Sequence, residues 1–247
     1  MVDQILTQEE IDALLSAMDR GDVDLKVQEK KKAKAVSYSL TTQNIILRDQ
    51  FYALEEVYDK FVTLMNQMLP STLQRPIEIE LLSAEMVKYQ EFIGEFSNPT
   101  SFQIFTMHPL IGSALLAIES SLVFSLIDCM FGGNGKQTTT VRDFTLIEKR
   151  MIKKLTQEIL SKLEDAWSNV YQIKISLKKA ETRPEFLHLL APDDSMVDIV
   201  LSVKGEEFGG NMHLGISYLT LEPIKERLSA RYLQKKEMEH TWDSQLK

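Results

Sequence analysis

The segment Gly132–Lys136 has the composition of a loop that could cradle a phosphate group, since three glycines stand within the four residues before a lysine. A Walker-type phosphate loop also needs a glycine five positions before the glycine that precedes the lysine, and a hydroxyl residue after the lysine. Those two positions hold Met130 and Gln137. The spacing excludes such a nucleotide-binding loop. Two interpretations of the glycines remain open: a helix C-terminal cap with left-handed residues, or an exposed loop that presents its backbone to a partner.

The other side chains that catalyse reactions or bind metals are scattered along the chain. The histidines are far apart, and none has a metal-binding partner at helical spacing: His108, His188, His213 and His240. Ser217 lacks the second glycine of a nucleophile elbow, and the single cysteine, Cys129, stands in an apolar run typical of a buried thiol. The sequence therefore predicts no catalytic residue, no metal site, no cofactor and no disulfide framework.

Composition limits the class of partner. The chain has 247 residues, 44% of them hydrophobic, so it can bury a sizeable core. A formal net charge of -8 argues against nonspecific attraction to nucleic acid or to anionic lipid. No apolar run approaches the roughly 18 residues that a membrane-spanning helix needs. We therefore expect a cytoplasmic protein with no nucleic-acid partner and no direct membrane insertion.

Residues 1–20 predict a short amphipathic helix that is separate from the rest of the chain. Thr7 is a suitable N-cap, and Glu10 three residues later completes a capping box. The apolar face of the helix is formed by Ile11, Leu14, Leu15 and Met18. About 12 residues are marginal for an isolated helix, so we expect it to fold fully only against a partner. Residues 21–40 are charge-rich and predict a flexible linker, which completes a disordered N-terminal tail.

The folded region is predicted over residues 41–233, and its pattern occurs twice. One helical stripe runs from Leu47 to Met65 and ends before Pro70, and a second runs from Leu146 to Trp167 after Asp143 as a possible cap. Each is followed by strand-like segments and a further helix. The predicted strands are Ile77 to Leu82, Val87 to Phe96, Ser101 to Met107, Gly112 to Ile118, Ile173 to Leu177, Arg183 to Leu190, Met196 to Val203 and Gly210 to Ile216. The predicted later helices are Ser121 to Met130 and Leu219 to Tyr232.

Matching residues support a duplication. The sequence Glu91-Phe92-Ile93 corresponds to Glu185-Phe186-Leu187, and Ile104-Phe105 corresponds to Ile199-Val200. Neither half alone has enough apolar surface for an independent core. We therefore predict one α/β domain in which a pseudo-twofold axis relates the two halves, with two unrelated α+β subdomains as the alternative.

Two segments carry a resemblance to a known family. The run Ile5-Leu-Thr-Gln-Glu-Glu-Ile-Asp-Ala-Leu-Leu15 resembles the N-terminal peptide of the FliM family of flagellar motor switch proteins. The run Leu126-Ile-Asp-Cys-Met-Phe-Gly-Gly-Asn-Gly135 resembles the middle-domain loop of the same family. The two segments stand in the right order and at the right distance, so the resemblance covers both the tail and the folded region.

The resemblance implies a non-enzymatic interaction protein that controls the direction of flagellar rotation in chemotaxis. It implies that phosphorylated CheY binds the N-terminal helix through Leu6, Ile11, Asp12, Leu14 and Leu15. It implies that FliG binds the loop through Gly132, Gly133, Asn134 and Gly135. Neighbouring copies in a ring are further implied partners. The implied location is the flagellar basal body, peripheral to the cytoplasmic face of the inner membrane.

The folded region also resembles the CheC and CheX phosphatases, which suggests an alternative function as a CheY-phosphate phosphatase. Those enzymes use a glutamate and an asparagine three residues apart on a helix. The corresponding positions here hold Lys154 and Gln157. The pair Glu95 and Asn98 has the right spacing but directly precedes Pro99, which is incompatible with a helix interior. The resemblance therefore favours an adaptor over an enzyme.

The end of the chain differs from the usual family pattern. FliM proteins normally continue into a small β-rich domain related to FliN, whereas residues 234–247 predict only a polar tail or a linker. FliN is therefore an expected partner only where that additional domain is present.

Overall fold

The computed structural model describes residues 51–136 and 142–229. The predicted peptide at residues 1–20, the linker at residues 21–40 and the segment 234–247 lie outside the described residues. Among the described residues, no helix combines the length and the apolar composition needed to cross a membrane.

Helices and strands alternate along the described chain in two similar series. The first series is α1 (Tyr52–Leu73), β1 (Ile77–Lys88), α2 (Tyr89–Gly94), β2 (Thr100–His108), β3 (Ala114–Glu119) and α3 (Ser120–Met130). The second series is α4 (Leu146–Trp167), β4 (Lys174–Glu181), a 3₁₀ turn (Pro184–Phe186), β5 (Ser195–Gly205), β6 (Gly209–Ser217) and α5 (Tyr218–Leu221). A second 3₁₀ turn (Glu222–Ile224) and α6 (Lys225–Leu228) follow.

The strands of the described residues form one antiparallel sheet in the order β1-β5-β6-β3-β2-β4. Replacing each strand by its counterpart in the other series gives the same order, read from the opposite edge of the sheet. The central pair is β3 with β6, and each edge strand pairs with a strand of the opposite half. The topology confirms the predicted pseudo-twofold duplication. It also explains why neither half has a core of its own, because each half completes the sheet of the other.

The two faces of the sheet have separate cores. Helices α1, α3 and α4 cover one face, where Phe61, Leu155 and Trp167 are fully buried. The opposite face has a smaller apolar cluster, in which α2 packs Tyr89 and Phe92 against β2 and β3. Strand residues alternate between the two faces, so Leu214 of β6 faces the helices while His213 faces α2.

Several boundaries differ from the sequence-based prediction. The segment Val87 to Phe96 was predicted as a strand but contains α2, because Tyr89, Phe92, Ile93 and Phe96 recur at helical spacing. The predicted strand Arg183 to Leu190 is likewise wrong, since it contains the 3₁₀ turn Pro184–Phe186. The predicted closing helix is broken in the described residues, where α5 ends at Leu221 directly before Glu222 and Pro223.

The two long helices also start or end differently from the prediction. Helix α1 continues through Pro70 to Leu73, so its predicted end before Pro70 is wrong. Pro70 removes one backbone hydrogen bond from the helix. Leu69 before it and Leu73 after it are buried, and their packing stabilises the last turn. The N-cap of α4 is Thr145 rather than Asp143: its hydroxyl accepts a bond from the Glu148 backbone N–H, and the Glu148 carboxylate accepts one from the Thr145 N–H.

Candidate functional site

The loop Gly132–Gly135 directly follows the end of α3 and caps that helix. The backbone N–H of Gly132 donates to the carbonyl of Cys129, and that of Gly133 donates to the carbonyl of Asp128, both at 2.9 Å. Gly132 has a φ of 90°, which an L side chain rarely adopts. These contacts satisfy carbonyls of the last helical turn, so the capping interpretation of the glycines is confirmed.

Two charged side chains also fix the loop. The carboxylate of Asp128 accepts a hydrogen bond from the backbone N–H of Gly135 at 2.8 Å. The guanidinium of Arg75, beyond the end of α1, donates to the carbonyl of Gly132 at 3.2 Å. The loop is therefore hydrogen-bonded both to α3 and to the segment that follows α1.

Close packing accounts for the other two glycines. A Cβ on Gly133 would clash with the Asp128 carboxylate, although the φ of Gly133 is not positive. Gly135 has a φ of 73° and is buried, and a Cβ there would meet the ring of Phe208 and the sulfur of Cys129. Burial raises the pKa of the Cys129 thiol, so this cysteine is a packed apolar group, as predicted.

Only part of the predicted FliG-binding set is exposed. Gly132 and Asn134 are exposed, whereas Gly133 is half-buried and Gly135 is buried. Phe131, which the sequence-based set did not include, is 65% exposed beside them. An exposed phenylalanine next to a fixed turn is typical of an interaction surface. Phe131 ends the apolar run that contains Cys129, and nothing in that run marks it as exposed.

A second group of chemically active side chains lies on the face of the sheet that α2 covers. Among the described residues, Glu95, Asp198 and His213 each place a potential ligand atom within 4.8 Å of the others. His213 Nδ1 and Asp198 Oδ2 are 3.1 Å apart, and both side chains are buried. Partial burial raises the pKa of the Glu95 carboxyl, and the nearby Asp198 charge raises it further. Sequence spacing gave no sign of this cluster, because the pairing of β5 with β6 creates it.

Comparison with known proteins assigns the family. The family model described as flagellar motor switch protein FliM matches residues 47–233, which is most of the chain. The chain belongs to the FliM family. FliM of Treponema pallidum is 30% identical over 93% of the chain and 67% of the relative. FliM of Bacillus subtilis is 31% identical over 94% of the chain and 70% of the relative. Both relatives are flagellar motor switch proteins, so the resemblance seen in the sequence is confirmed.

Solved structures of FliM middle domains have the same fold. The middle domain from Vibrio alginolyticus is 28% identical, with a TM-score of 0.65 over 70% of this chain and 98% of that chain. A chain from a FliG–FliM complex of Helicobacter pylori is 24% identical, with a TM-score of 0.68 over 71% of this chain and 96% of that chain. At that lower identity the second comparison shows the shared fold.

The helix positions relevant to phosphatase activity can be placed within this FliM fold. Lys154 and Gln157 are both exposed on α4, with no carboxylate at either position. On α1, Asn66 is held by strand β1: its amide donates to the Ile79 carbonyl and accepts from the Ile79 N–H, both at 2.8 Å. Thr63 stands three residues before Asn66, where a phosphatase pair would have glutamate. The geometry therefore gives no support to the phosphatase alternative.

Proposed function

We propose that the chain is a switch adaptor that binds FliG through Phe131 and the exposed backbone and side chains of the loop Gly132–Gly135. The observation that carries this proposal is the combination of an exposed aromatic ring with a turn fixed by Asp128 and Arg75. A fixed loop loses little conformational entropy on binding, so its contacts contribute more fully to affinity. The FliM–FliG pairing in the Helicobacter pylori complex supports the choice of partner.

The decisive experiment measures FliG binding by the full chain after Phe131→Ala. Loss of a ring that FliG would bury should weaken binding by about 1.5–3 kcal/mol, roughly ten- to a hundredfold. Asn134→Ala should cost about 1 kcal/mol through a lost hydrogen bond. Phe186→Ala is the matched control, because Phe186 is 57% exposed at a different site and should leave FliG binding unchanged.

Thermal unfolding of the same variants separates recognition from capping. Phe131 and Asn134 are exposed, so neither substitution should lower stability appreciably. Unchanged FliG binding by Phe131→Ala would reject the proposal. A loss of binding that follows a matching loss of stability would leave the loop with a capping role alone.

Alanine substitution of the glycines is a weaker test of FliG binding than Phe131→Ala. Gly133 has no positive φ, so Gly133→Ala would act through a clash of the new methyl group with the Asp128 carboxylate. Gly135→Ala would disturb Phe208 and Cys129 in the interior. Both changes would alter folding and binding together.

We propose further that residues 1–20 bind phosphorylated CheY as a helix, through the predicted set Leu6, Ile11, Asp12, Leu14 and Leu15. The support is the amphipathic pattern and its charge, since Asp3, Glu9, Glu10, Asp12 and Asp19 against Arg20 give five negative charges and one positive, a net -4. Such a helix fits an apolar groove lined by lysine or arginine.

Substitutions in the full chain test the CheY contact. Ile11→Ala or Leu15→Ala should weaken binding of phosphorylated CheY by about 1–3 kcal/mol, because each removes apolar burial in the groove. Added salt should slow association more than dissociation. Equal affinity of the wild type and the double variant would rule out this helix as the contact.

The remaining proposed contacts follow from family membership. Neighbouring copies of the chain would associate in a ring at the cytoplasmic face of the inner membrane, with FliN binding only where the additional C-terminal domain is present. The proposed role is to transmit the CheY signal to FliG and so to control the direction of flagellar rotation, without catalysis.

A further inference from the structure

We propose that Glu95, Asp198 and His213 form a binding site for a transition-metal dication, for which Zn²⁺ is the best-fitting ion. The three residues come from different parts of the fold: Glu95 follows α2, Asp198 lies on β5 and His213 lies on β6. The antiparallel register, in which Val200 pairs with His213 and Asp198 pairs with Gly215, places Asp198 and His213 on the same face of the sheet.

The donor atoms suit zinc. One imidazole nitrogen and two carboxylate oxygens are ordinary Zn²⁺ ligands, at about 2.0–2.2 Å from the ion, which places neighbouring ligand atoms roughly 3.3 Å apart. His213 Nδ1 and Asp198 Oδ2 are 3.1 Å apart, close to this separation, and the ion would take the place of the proton between them. The Glu95 atom lies within 4.8 Å of both and belongs to an exposed side chain that is free to approach. Imidazole coordination favours Zn²⁺ over Ca²⁺ or Mg²⁺.

An unpaired buried oxygen gives independent support for a ligand. Asp198 Oδ1 is buried without a hydrogen-bond partner, and the side chain is only 6% exposed. A buried carboxylate oxygen without a partner is costly, and nearby Glu95 adds a second negative charge. A dication bound between the two carboxylates would reduce their repulsion, and coordination by both oxygens of Asp198 would also pair the free Oδ1. The His213 bond leaves Asp198 Oδ1 unpaired.

The cluster is accessible from solvent. A cleft of about 320 Å³ reaches His213 and Glu95 and is also lined by Glu119 and Asn211. Water entering through this cleft would complete a tetrahedral shell. The rings of Phe92 and Phe96 pack around His213, with centroids 6.2 and 5.0 Å away, and keep its imidazole in place.

Bound metal would tie the end of α2 to the centre of the sheet. Glu95 is the C-cap of α2, whereas Asp198 and His213 are fixed by strand pairing. The ion would therefore slow local opening of residues 95–99, which gives a readout independent of affinity.

The test is calorimetric titration of the untagged full chain with Zn²⁺, together with visible absorption of the Co²⁺ form. We expect one ion per chain, tetrahedral Co²⁺ bands, and slower hydrogen exchange at residues 95–99. Glu95→Gln should weaken binding at least tenfold and, because the side chain is exposed, should leave the melting curve unchanged. His213→Gln should abolish binding. His188→Gln changes an exposed histidine outside the cluster and should have no effect.

Three results would overturn the proposal. A Kd weaker than about 100 µM would leave Asp198 and His213 as a buried hydrogen-bonded pair only. Unaltered binding by Glu95→Gln would exclude this cluster as the site. Loss of binding in His240→Gln would place the ion in the C-terminal segment instead.

Discussion

Phe92 and Phe186 occupy matching places in the two halves, each in the short helical segment that follows an edge strand, yet Phe92 is fully buried and Phe186 is 57% exposed. The six residues of α2 pack Tyr89 and Phe92 onto the sheet. The matching 3₁₀ turn has three residues and contributes none to the core, although Leu187 directly after it is buried.

The difference shows how one duplicated scaffold carries different chemistry at its two ends. On the first-half side, α2 brings Phe96 and Glu95 over His213 and encloses the polar cluster. On the second-half side, Phe186 instead lines an open cleft with Arg142 and Arg183. The shared topology fixes the strands, and the lengths of the segments after β1 and β4 decide what covers them.

The largest expected effect is the loss of stability on replacing Phe92 with alanine, compared with the same substitution at Phe186. Phe92→Ala should lower the free energy of unfolding by about 3–5 kcal/mol, because it leaves a cavity under α2. Phe186→Ala should change it by no more than about 0.5 kcal/mol, because its ring is largely in solvent. Urea unfolding of the two full-length variants at the same pH measures both values.

If Phe92→Ala does not fold, a less destabilising substitution at the same position can be measured instead. Phe92→Leu keeps most of the volume and should cost roughly 1–1.5 kcal/mol. Similar losses for the Phe92 and Phe186 variants would show that the two segments contribute equally to the fold, contrary to their burial.

The sequence located most of the strands and both long helices, and it misassigned the short segments that follow β1 and β4. Strands β2, β5 and β6 and helices α3 and α4 were found within a few residues, because each is long enough for its apolar period to be unambiguous. Helix α2 is a single short stretch, and its helical spacing was mistaken for the alternation of a strand. Such short apolar segments fit both patterns.

The same contrast applies to the two candidate sites: one is formed by adjacent residues and the other by residues that only the fold brings together. The glycine loop was found because its residues are adjacent in sequence, but the sequence did not reveal that Asp128 and Arg75 hold it. The cluster of Glu95, Asp198 and His213 depends on strand register and on the position of α2, which no local pattern contains.

The long helices of the two halves give a second, smaller contrast. Helix α4 begins with the Thr145 capping box, whereas α1 begins after Phe51 with no side-chain cap bond. Hydrogen bonding from Arg142, with the capping bonds from Thr145, lowers the pKa of Glu148 from 4.5 to about 2. Glu148→Gln retains a capping side chain but loses the charge, so it should cost about 1 kcal/mol at neutral pH, a value limited by the exposure of Arg142.

The effect of Glu148→Gln should depend on pH in a defined direction. Because the folded pKa lies below the unfolded value, the stabilisation is present above 4.5 and is lost as the pH falls from 4.5 towards 2. Urea unfolding from pH 7 to pH 2 should show the wild type and Glu148→Gln converging. Glu206→Gln, an exposed glutamate between β5 and β6, serves as the control. A difference that stays constant down to pH 2 would contradict a role for the Glu148 charge.

The smallest expected effect is on the rate of phosphate loss from CheY. It depends on the same two helices and distinguishes an adaptor from an enzyme. Hydrolysis of an aspartyl phosphate needs a water molecule held in line by a hydrogen-bond acceptor and an amide. On α4, charged Lys154 cannot accept a hydrogen bond, and Gln157 has no carboxylate partner at that spacing. On α1, both polar atoms of the Asn66 amide are already bonded to Ile79. Both helices therefore lack the carboxylate, and on α1 the asparagine amide is also already bonded to the strand.

The full chain in excess should therefore leave the rate of phosphate loss from CheY unchanged, and Gln157→Ala should match the wild type. Binding that shields the phosphoryl group would lengthen its lifetime, which also agrees with an adaptor. A catalytic acceleration of roughly tenfold, about 1.4 kcal/mol off the barrier, would overturn the adaptor assignment. If Gln157→Ala then removed the acceleration, α4 would carry the activity. If it did not, Asn66 would have to leave Ile79 to act, and Asn66→Ala would test that step because it removes the amide while leaving the exposed surface of α4 intact.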